Sequence, residues 1–349
     1  MRAITLHRHG DASVLALETL PDPTPGPGEA LVRVHACALN RLDLWVRGGL
    51  PNLRIAYPHV LGSDIAGEIV DVGAGVDAGL CGRPTLVNPG LSCGHCEPCL
   101  SGWDNLCPRY RILGENAPGG YCELIAVPIA NLVAKPAGLD MIHAAAIPLT
   151  FLTAWQMLVV RAKVAPGDVV IVHAVGSGVG VAALQIARLH GARVVALART
   201  EDKLARAREL GAEATVSTAD DSWIDQVRAL PMIGKRGADI VVEHTGKHTW
   251  DASLKLAKRG GVVVTCGASS GWDAQTDLRQ VFFRQLQILG STMGSKSLLH
   301  RIVPLFEQGA LQAIVDRSFP LAQAADAHRH LESRSQFGKV VLAVHGSSA

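Results

Sequence analysis

The chain has 349 residues, 48% apolar and 18% charged, with 33 basic side chains against 31 acidic. That length exceeds one ordinary core and implies two domains, while the near balance of charge, with no long run of either sign, gives nucleic acid and anionic membranes no electrostatic footprint. No apolar run approaches a membrane span and the charged N-terminus lacks a secretory pattern, so a cytoplasmic protein without nucleic-acid or membrane partners is expected.

Residues 1 to about 130 read as short strands broken by turns: 29–39, 65–73, 83–88 and 121–127, with the proline-stiffened connection PDPTPGPGE at 21–29. From about 140 the pattern becomes strand, helix, strand. The apolar run 168–174 is followed by a glycine turn and the helical stretch 178–192, where Val179, Ala183, Ile186 and His190 recur at helical spacing. Strands at 193–198, 214–217, 239–245, 262–266 and 286–291 repeat the alternation, which predicts a parallel sheet covered on both faces. A polar helix at 322–334 and a lone strand at 338–344 end the chain, and that strand needs a sheet to join, proposed to be that of the first domain.

Four of the eight cysteines fall within fifteen positions: Cys93, Cys96, Cys99 and Cys107, spaced C-x2-C-x2-C-x7-C in the lobe 88–108. In a reducing compartment such spacing reads as metal ligation, not as disulfides. Four thiolates enclose a tetrahedral Zn2+ at about 2.3 Å each and leave no open position for water or substrate, so one structural zinc is expected. An iron–sulfur cluster or an unmetallated loop are the alternatives.

The second motif is Gly176, Ser177, Gly178, Val179 and Gly180, at a strand-to-helix turn. Small residues there let the backbone approach a pyrophosphate whose charge the helix N-terminus stabilises; a plain tight turn is the alternative. An acid that would bond the ribose 2′-hydroxyl is missing where the second strand ends near Ala198, and Arg199, Thr200 and Lys203 follow. Cations and a hydroxyl suit a 2′-phosphate, so NADP(H) is preferred over NAD(H), although Arg199 and Lys203 equally suit the start of a solvated helix face.

The stretches PHVLGSDIAGEIVDVGAGV (58–76), the cysteine lobe, AAAIPLTFLTAWQML (144–158), HAVGSGVGVAALQIARLHGARVVA (173–196) and FGKVVL (337–342) together resemble the medium-chain dehydrogenase/reductase superfamily, the zinc alcohol dehydrogenases and quinone oxidoreductases, over essentially the whole chain. The resemblance implies an α/β protein: a GroES-like β-rich catalytic domain over 1–140, a Rossmann doubly wound parallel sheet over 141–299, and a return to the catalytic domain over 300–349. It also implies a small-molecule substrate, homodimers or homotetramers, and Thr245, Gly267 and Lys339 among the cofactor-binding residues.

In the alcohol dehydrogenases of this superfamily three side chains hold a catalytic zinc. The matching positions here carry Asn40, Ser63 and Leu149, or at most Thr150, none a good zinc ligand. Asn40-Arg41-Leu42-Asp43 and the glycine turn resemble the zinc-independent quinone and alkene reductases, a branch that commonly lacks the cysteine lobe. The expected activity is therefore hydride transfer from NAD(P)H to a quinone, conjugated enone or enoyl thioester. Asn40 would orient substrate and nicotinamide, Thr150 or Thr153 would line the pocket, and Asp43 completes the candidate catalytic set. The alternative role for Asn40 is to satisfy backbone groups in a turn, and Asp43 fits a structural acceptor beside Arg41 or Arg47. Two rival activities stay open. One is an alcohol dehydrogenase with atypical ligands, for which Asp43, His59 and Asp64 are candidates; the other is a non-catalytic nucleotide-binding regulator.

Overall fold

The computed structural model describes residues 1–51 and 53–345. They form two compact units: Met1–Leu149 with the segment from Ser295 on, and Thr150–Gly294.

The first unit is organised around the ten-residue strand Glu29–Ala38, which alternates buried positions with half-buried ones and the exposed Arg33 until its last three residues, all buried. One sheet runs in the order Leu132–Ala134, Pro84–Val87, Asp64–Val72, Glu29–Ala38, Lys339–Ala343, Val315–Pro320, and Leu124–Pro128 also pairs with Glu29–Ala38. The C-terminal strand lies antiparallel to the central one, Val341 opposite Ala38 and Ala343 opposite Ala36. Strand and turn meet tightly at Gly62, at φ +99: an added Cβ would stand 2.4 Å from the Tyr121 ring and 2.7 Å from the Cys37 sulfur, so only glycine fits.

Three elements depart from the sequence reading. The chain around Asn40, read as a loop, enters the helix Arg41–Gly48, because Asn40 caps it in extended conformation and Asp43 bonds back to it. Lys296–Glu307 is an amphipathic helix, with Leu298, Leu299, Ile302, Val303 and Phe306 on its buried face. The polar helix near the end is Ala324–Glu332, and its buried face of Ala324, Ala327, His328 and Leu331 includes a histidine.

The second unit is a six-stranded parallel sheet in the order Ala214–Ser217, Arg193–Ala198, Val169–Val172, Ala238–Glu243, Ala257–Thr265, Gln287–Gly290. Numbered along the chain this is 3-2-1-4-5-6, the usual doubly wound arrangement, whose topological switch point lies between the first and fourth strands. The helix Gly178–Leu189 packs so closely on the sheet that Gly180 through Ala187 are all buried, and a Cβ on Gly180 would meet the Ala174 carbonyl oxygen at 2.6 Å. Among the described residues no helix is long and apolar enough to cross a membrane.

Candidate active site and metal centre

The cysteine lobe gathers its four sulfurs so that all lie within 4.8 Å of one another. The Cys93–Cys99 and Cys96–Cys99 separations are 3.9 and 3.4 Å, close to the roughly 3.8 Å edge of a tetrahedron with zinc–sulfur bonds of about 2.3 Å. The backbone N–H groups of Cys93 and Arg109 donate to the Cys107 sulfur, the kind of support a thiolate ligand needs. The His95 backbone N–H, ahead of bonds from Cys96, holds the Cys93 thiol well below its usual range. The donor set fits a closed zinc site. Lys296 fastens this lobe to the start of the helix Lys296–Glu307: its N–H reaches Asp104 Oδ1 at 3.0 Å, and its ammonium reaches Ser92 Oγ at 2.6 Å and Asp104 Oδ2 at 3.2 Å.

Asn40, Asp43 and Asp64 come together in the first unit, all buried, with Lys339 beside them. Lys339 Nζ donates to Asn40 Oδ1 at 2.6 Å and to Asp64 Oδ2 at 2.8 Å, and Asn40 Nδ2 donates to the same Asp64 oxygen at 2.9 Å. The other Asp64 oxygen accepts from the Leu149 N–H at 2.6 Å. Lys339, expected among the nucleotide contacts, is thus the ammonium of a closed triangle with a carboxamide and a carboxylate. Ser63 donates to the Leu113 carbonyl at 2.7 Å and His59 lies 3.2 Å from the Gly114 carbonyl. The three positions aligned with catalytic-zinc ligands therefore hold a committed amide, a committed hydroxyl and a backbone N–H, and a zinc does not fit them. Among the described residues, only the four cysteines bring three or more His, Cys, Asp or Glu ligand atoms into reach of one ion, so Asp43, His59 and Asp64 do not converge.

Asp43 accepts from the backbone N–H of Asn40 at 2.6 Å and of Gly62 at 3.0 Å, not from Arg41 or Arg47. Behind it runs a buried chain that sequence reasoning missed. Arg47 Nη1 sits 3.1 Å from His328 Nδ1 and His328 Nε2 sits 3.3 Å from the Tyr121 hydroxyl, whose ionisation is opposed first by burial and then by the Asp43 charge. Arginine only donates, so His328 must accept at Nδ1 and carry its proton at Nε2. Burial first, then the Arg47 charge, push the His328 ring down to about 3, which keeps it neutral. Burial raises the Asp43 carboxyl to about 6 in spite of the two N–H bonds and the Lys339 charge. Folded Asp43 thus holds its proton more tightly than the unfolded chain does at its usual 3.8. The group therefore subtracts stability as pH climbs from about 4 to about 6, by up to about 3 kcal/mol. Asp43→Asn is expected to flatten that part of the profile of urea midpoint against pH; an unchanged slope there would contradict the burial of an ionising carboxyl.

In the second unit, Ser177 caps the helix Gly178–Leu189, its Oγ accepting from the Gly180 N–H at 3.0 Å. The N–H groups of Gly178 and Val179 precede the first intrahelical donor, the Val181 N–H that bonds the Ser177 carbonyl, and remain open to an anion. The turn lies at the carboxyl end of the first strand, beside the switch point, and Ala174 takes φ 42 to make it. Thr245 follows the fourth strand and Gly267 the fifth; Arg199 and Thr200 are exposed after the second, with Lys203 in the helix Glu201–Glu209. Thr150 and Thr153 are buried on the helix Pro148–Trp155.

A doubly wound sheet with a glycine turn at its switch point has the architecture of a dinucleotide-binding domain, and the relatives of the chain make it that of an NAD(P)-dependent oxidoreductase. Residues 26–137 match the alcohol dehydrogenase GroES-like domain family and residues 178–308 the zinc-binding dehydrogenase family. The NAD-dependent alcohol dehydrogenase of Sulfolobus acidocaldarius is 30% identical, covering 99% of this chain and 100% of its own. The quinone oxidoreductase of Pongo abelii is 27% identical over 98% and 97%. A solved structure described as an NAD-dependent alcohol dehydrogenase superposes with a TM-score of 0.95 at 51% identity, covering 99% of this chain and 100% of that one. The chain belongs to the medium-chain dehydrogenase/reductase superfamily.

Proposed function

We propose that the protein is a catalytic-zinc-independent reductase that transfers hydride to a quinone, a conjugated enone or an enoyl thioester. The observation that carries this reading is the Lys339 ammonium, held 2.6 Å from Asn40 and 2.8 Å from Asp64, where a metal ligand set would need free donors. Alcohol oxidation gains from a Lewis acid on the developing alkoxide. Reduction of a conjugated carbonyl needs less, since the acceptor is already electrophilic and hydrogen-bond donors suffice for the charge that collects on oxygen.

A bound reduced nicotinamide supplies the hydride. The Asn40 carboxamide is locked with Oδ1 on the ammonium and Nδ2 on Asp64, with only a long 3.5 Å contact from Nδ2 to the Ala38 carbonyl, a bond that an acceptor oxygen would have to displace. The hydroxyls of Thr150 and Thr153 are proposed acceptor contacts, and a hydroxyl or water delivers the proton. Arg199, Thr200 and Lys203, with no acid at Ala198, favour NADP(H) over NAD(H). The four thiolates hold one zinc that takes no part in the reaction. Assembly as a homodimer or homotetramer is part of this proposal, and the exposed Phe282 and Phe283 beside the edge strand Gln287–Gly290 suit it.

The 51%-identical alcohol dehydrogenase favours a second reading, alcohol oxidation with a metal bound in some other way. One experiment separates the two: metal content by plasma emission, paired with initial rates on enones, quinones and alcohols using each coenzyme. The proposal expects about one zinc per chain, reduction of a conjugated acceptor and a lower Michaelis constant for NADPH than for NADH. About two metals per chain with alcohol turnover that dies on removal of the second would replace it by the alcohol dehydrogenase reading.

A further inference from the structure

The first and fourth strands of the second unit, Val169–Val172 and Ala238–Glu243, are neighbours, so the turns that leave their carboxyl ends flank the switch point together. One turn carries Ser177 and the other His244, and His244 Nε2 lies 2.9 Å from Ser177 Oγ. The second turn is braced from below. Glu243 Oε1 accepts from the N–H of Thr245 at 2.6 Å and of Gly246 at 2.9 Å, while Oε2 accepts from Thr249 Oγ1 at 2.8 Å and Ser253 Oγ at 2.6 Å.

The other imidazole nitrogen, His244 Nδ1, is buried without a hydrogen-bond partner. That orphan decides the tautomer. With the proton on Nδ1, an unpaired N–H would be buried at a cost of about 1–3 kcal/mol, whereas with the proton on Nε2 only a lone pair goes unused, the more tolerated defect. Burial, ahead of the opposing pull of Glu243, lowers the ring to about 4, so one proton is all it carries at neutral pH. His244 therefore donates from Nε2 to Ser177. A hydroxyl has two lone pairs and one hydrogen. Both lone pairs of Ser177 Oγ are then occupied, by the Gly180 N–H and the His244 N–H, and its own hydrogen must point elsewhere.

We propose that His244 is a positioning residue for the dinucleotide: by filling the last lone pair of Ser177 it turns the serine hydroxyl hydrogen outward, to donate to a phosphate oxygen beside the open N–H groups of Gly178 and Val179. The inference rests on reading the glycine turn as the dinucleotide site. It adds a specific function to a residue whose contacts with the turn are invisible in the sequence, 67 positions from Ser177.

The test uses four variants of the full-length protein: Ser177→Ala, His244→Asn, His244→Gln and the double variant Ser177→Ala/His244→Asn. Dissociation constants for NADPH and NADH are measured by fluorescence titration, with urea midpoints alongside. Ser177→Ala removes one hydrogen bond to a charged acceptor and is expected to weaken binding about tenfold. His244→Asn, too short to reach Oγ, should do nearly the same. His244→Gln, whose terminal amide N–H can take the place of Nε2–H, should recover most of the affinity. The double variant should bind no more weakly than Ser177→Ala alone, which a general loosening of the fold would not produce. If Ser177→Ala weakens binding while His244→Asn does not, or if the two losses add, the inference fails and the dinucleotide site stands. If Ser177→Ala has no effect, the inference fails; if the unaltered protein binds neither coenzyme, the reading of the turn fails with it.

Discussion

Lys339→Met is expected to lower the stability of the protein by about 3–5 kcal/mol, read as a fall in the urea midpoint. The reason is the environment the substitution leaves behind. Asp64 is fully buried, and Lys339 is its only cationic partner among the described residues. Methionine fills the volume of the lysine stem but leaves a carboxylate in a low-dielectric interior with only the Asn40 and Leu149 N–H groups to offset its charge. Asn40 loses the donor on Oδ1 as well, so its amide is no longer fixed in orientation. Combining Lys339→Met with Asp64→Leu removes both charges and should return most of the lost stability while leaving turnover impaired, because apolar replacement of a buried pair is commonly tolerated whereas removal of one partner is not. A loss below about 1 kcal/mol for Lys339→Met would mean that the ammonium is not the counter-ion described here.

Cys96→Ser is expected to release the metal of the thiol lobe and to lower the melting temperature by about 5–10 °C, a few kcal/mol for a protein of this size. The lobe has little else to hold it. Leu100, Trp103 and Leu106 are exposed, so the segment between the second and fourth cysteines does not bury a core of its own, and metal bonds take that role. The loss should spread beyond the lobe, because Asp104 and Ser92 anchor Lys296 at the head of the helix Lys296–Glu307. Zinc release on treatment with a strong chelator should reproduce the lower melting temperature in the unaltered protein, and the turnover number of the variant that remains folded should stay within about twofold of the original. Undiminished zinc content in Cys96→Ser would refute the four-thiolate site.

The second unit was the more legible of the two in the sequence. Val169–Val172 and Arg193–Ala198 are short apolar runs set off by charge and glycine, and a strand buried on both faces leaves that mark locally. The cysteine spacing was equally local, since all four ligands fall in one lobe. Arg41–Gly48 was not, because eight residues are too few to establish a period and its start is set by a bond from Asp43 back to the Asn40 N–H. The candidate site was legible as a set of positions more than as a set of contacts. Asn40 was singled out, yet the ammonium that holds it lies 299 positions later, and Asp64 lies 275 from that same lysine. The chain through Tyr121, His328 and Arg47 went unread for the same reason: each is unexceptional alone, and only the fold brings the three together. Ser177 was noticed as part of a glycine motif, whereas His244 had no motif to announce it.

The strand Lys339–Ala343 is an inner strand of the first unit's sheet, held between Glu29–Ala38 and the edge strand Val315–Pro320. During synthesis the nucleotide-binding unit, one uninterrupted stretch of chain, can leave the ribosome whole and fold while the other still lacks an inner strand. That gap stays open until Lys339–Ala343 has been made and has emerged, and until then Asp64 waits without its counter-ion. A ribosome that stops before Lys339 releases the second unit complete in its residues, joined to a first unit that lacks an inner strand.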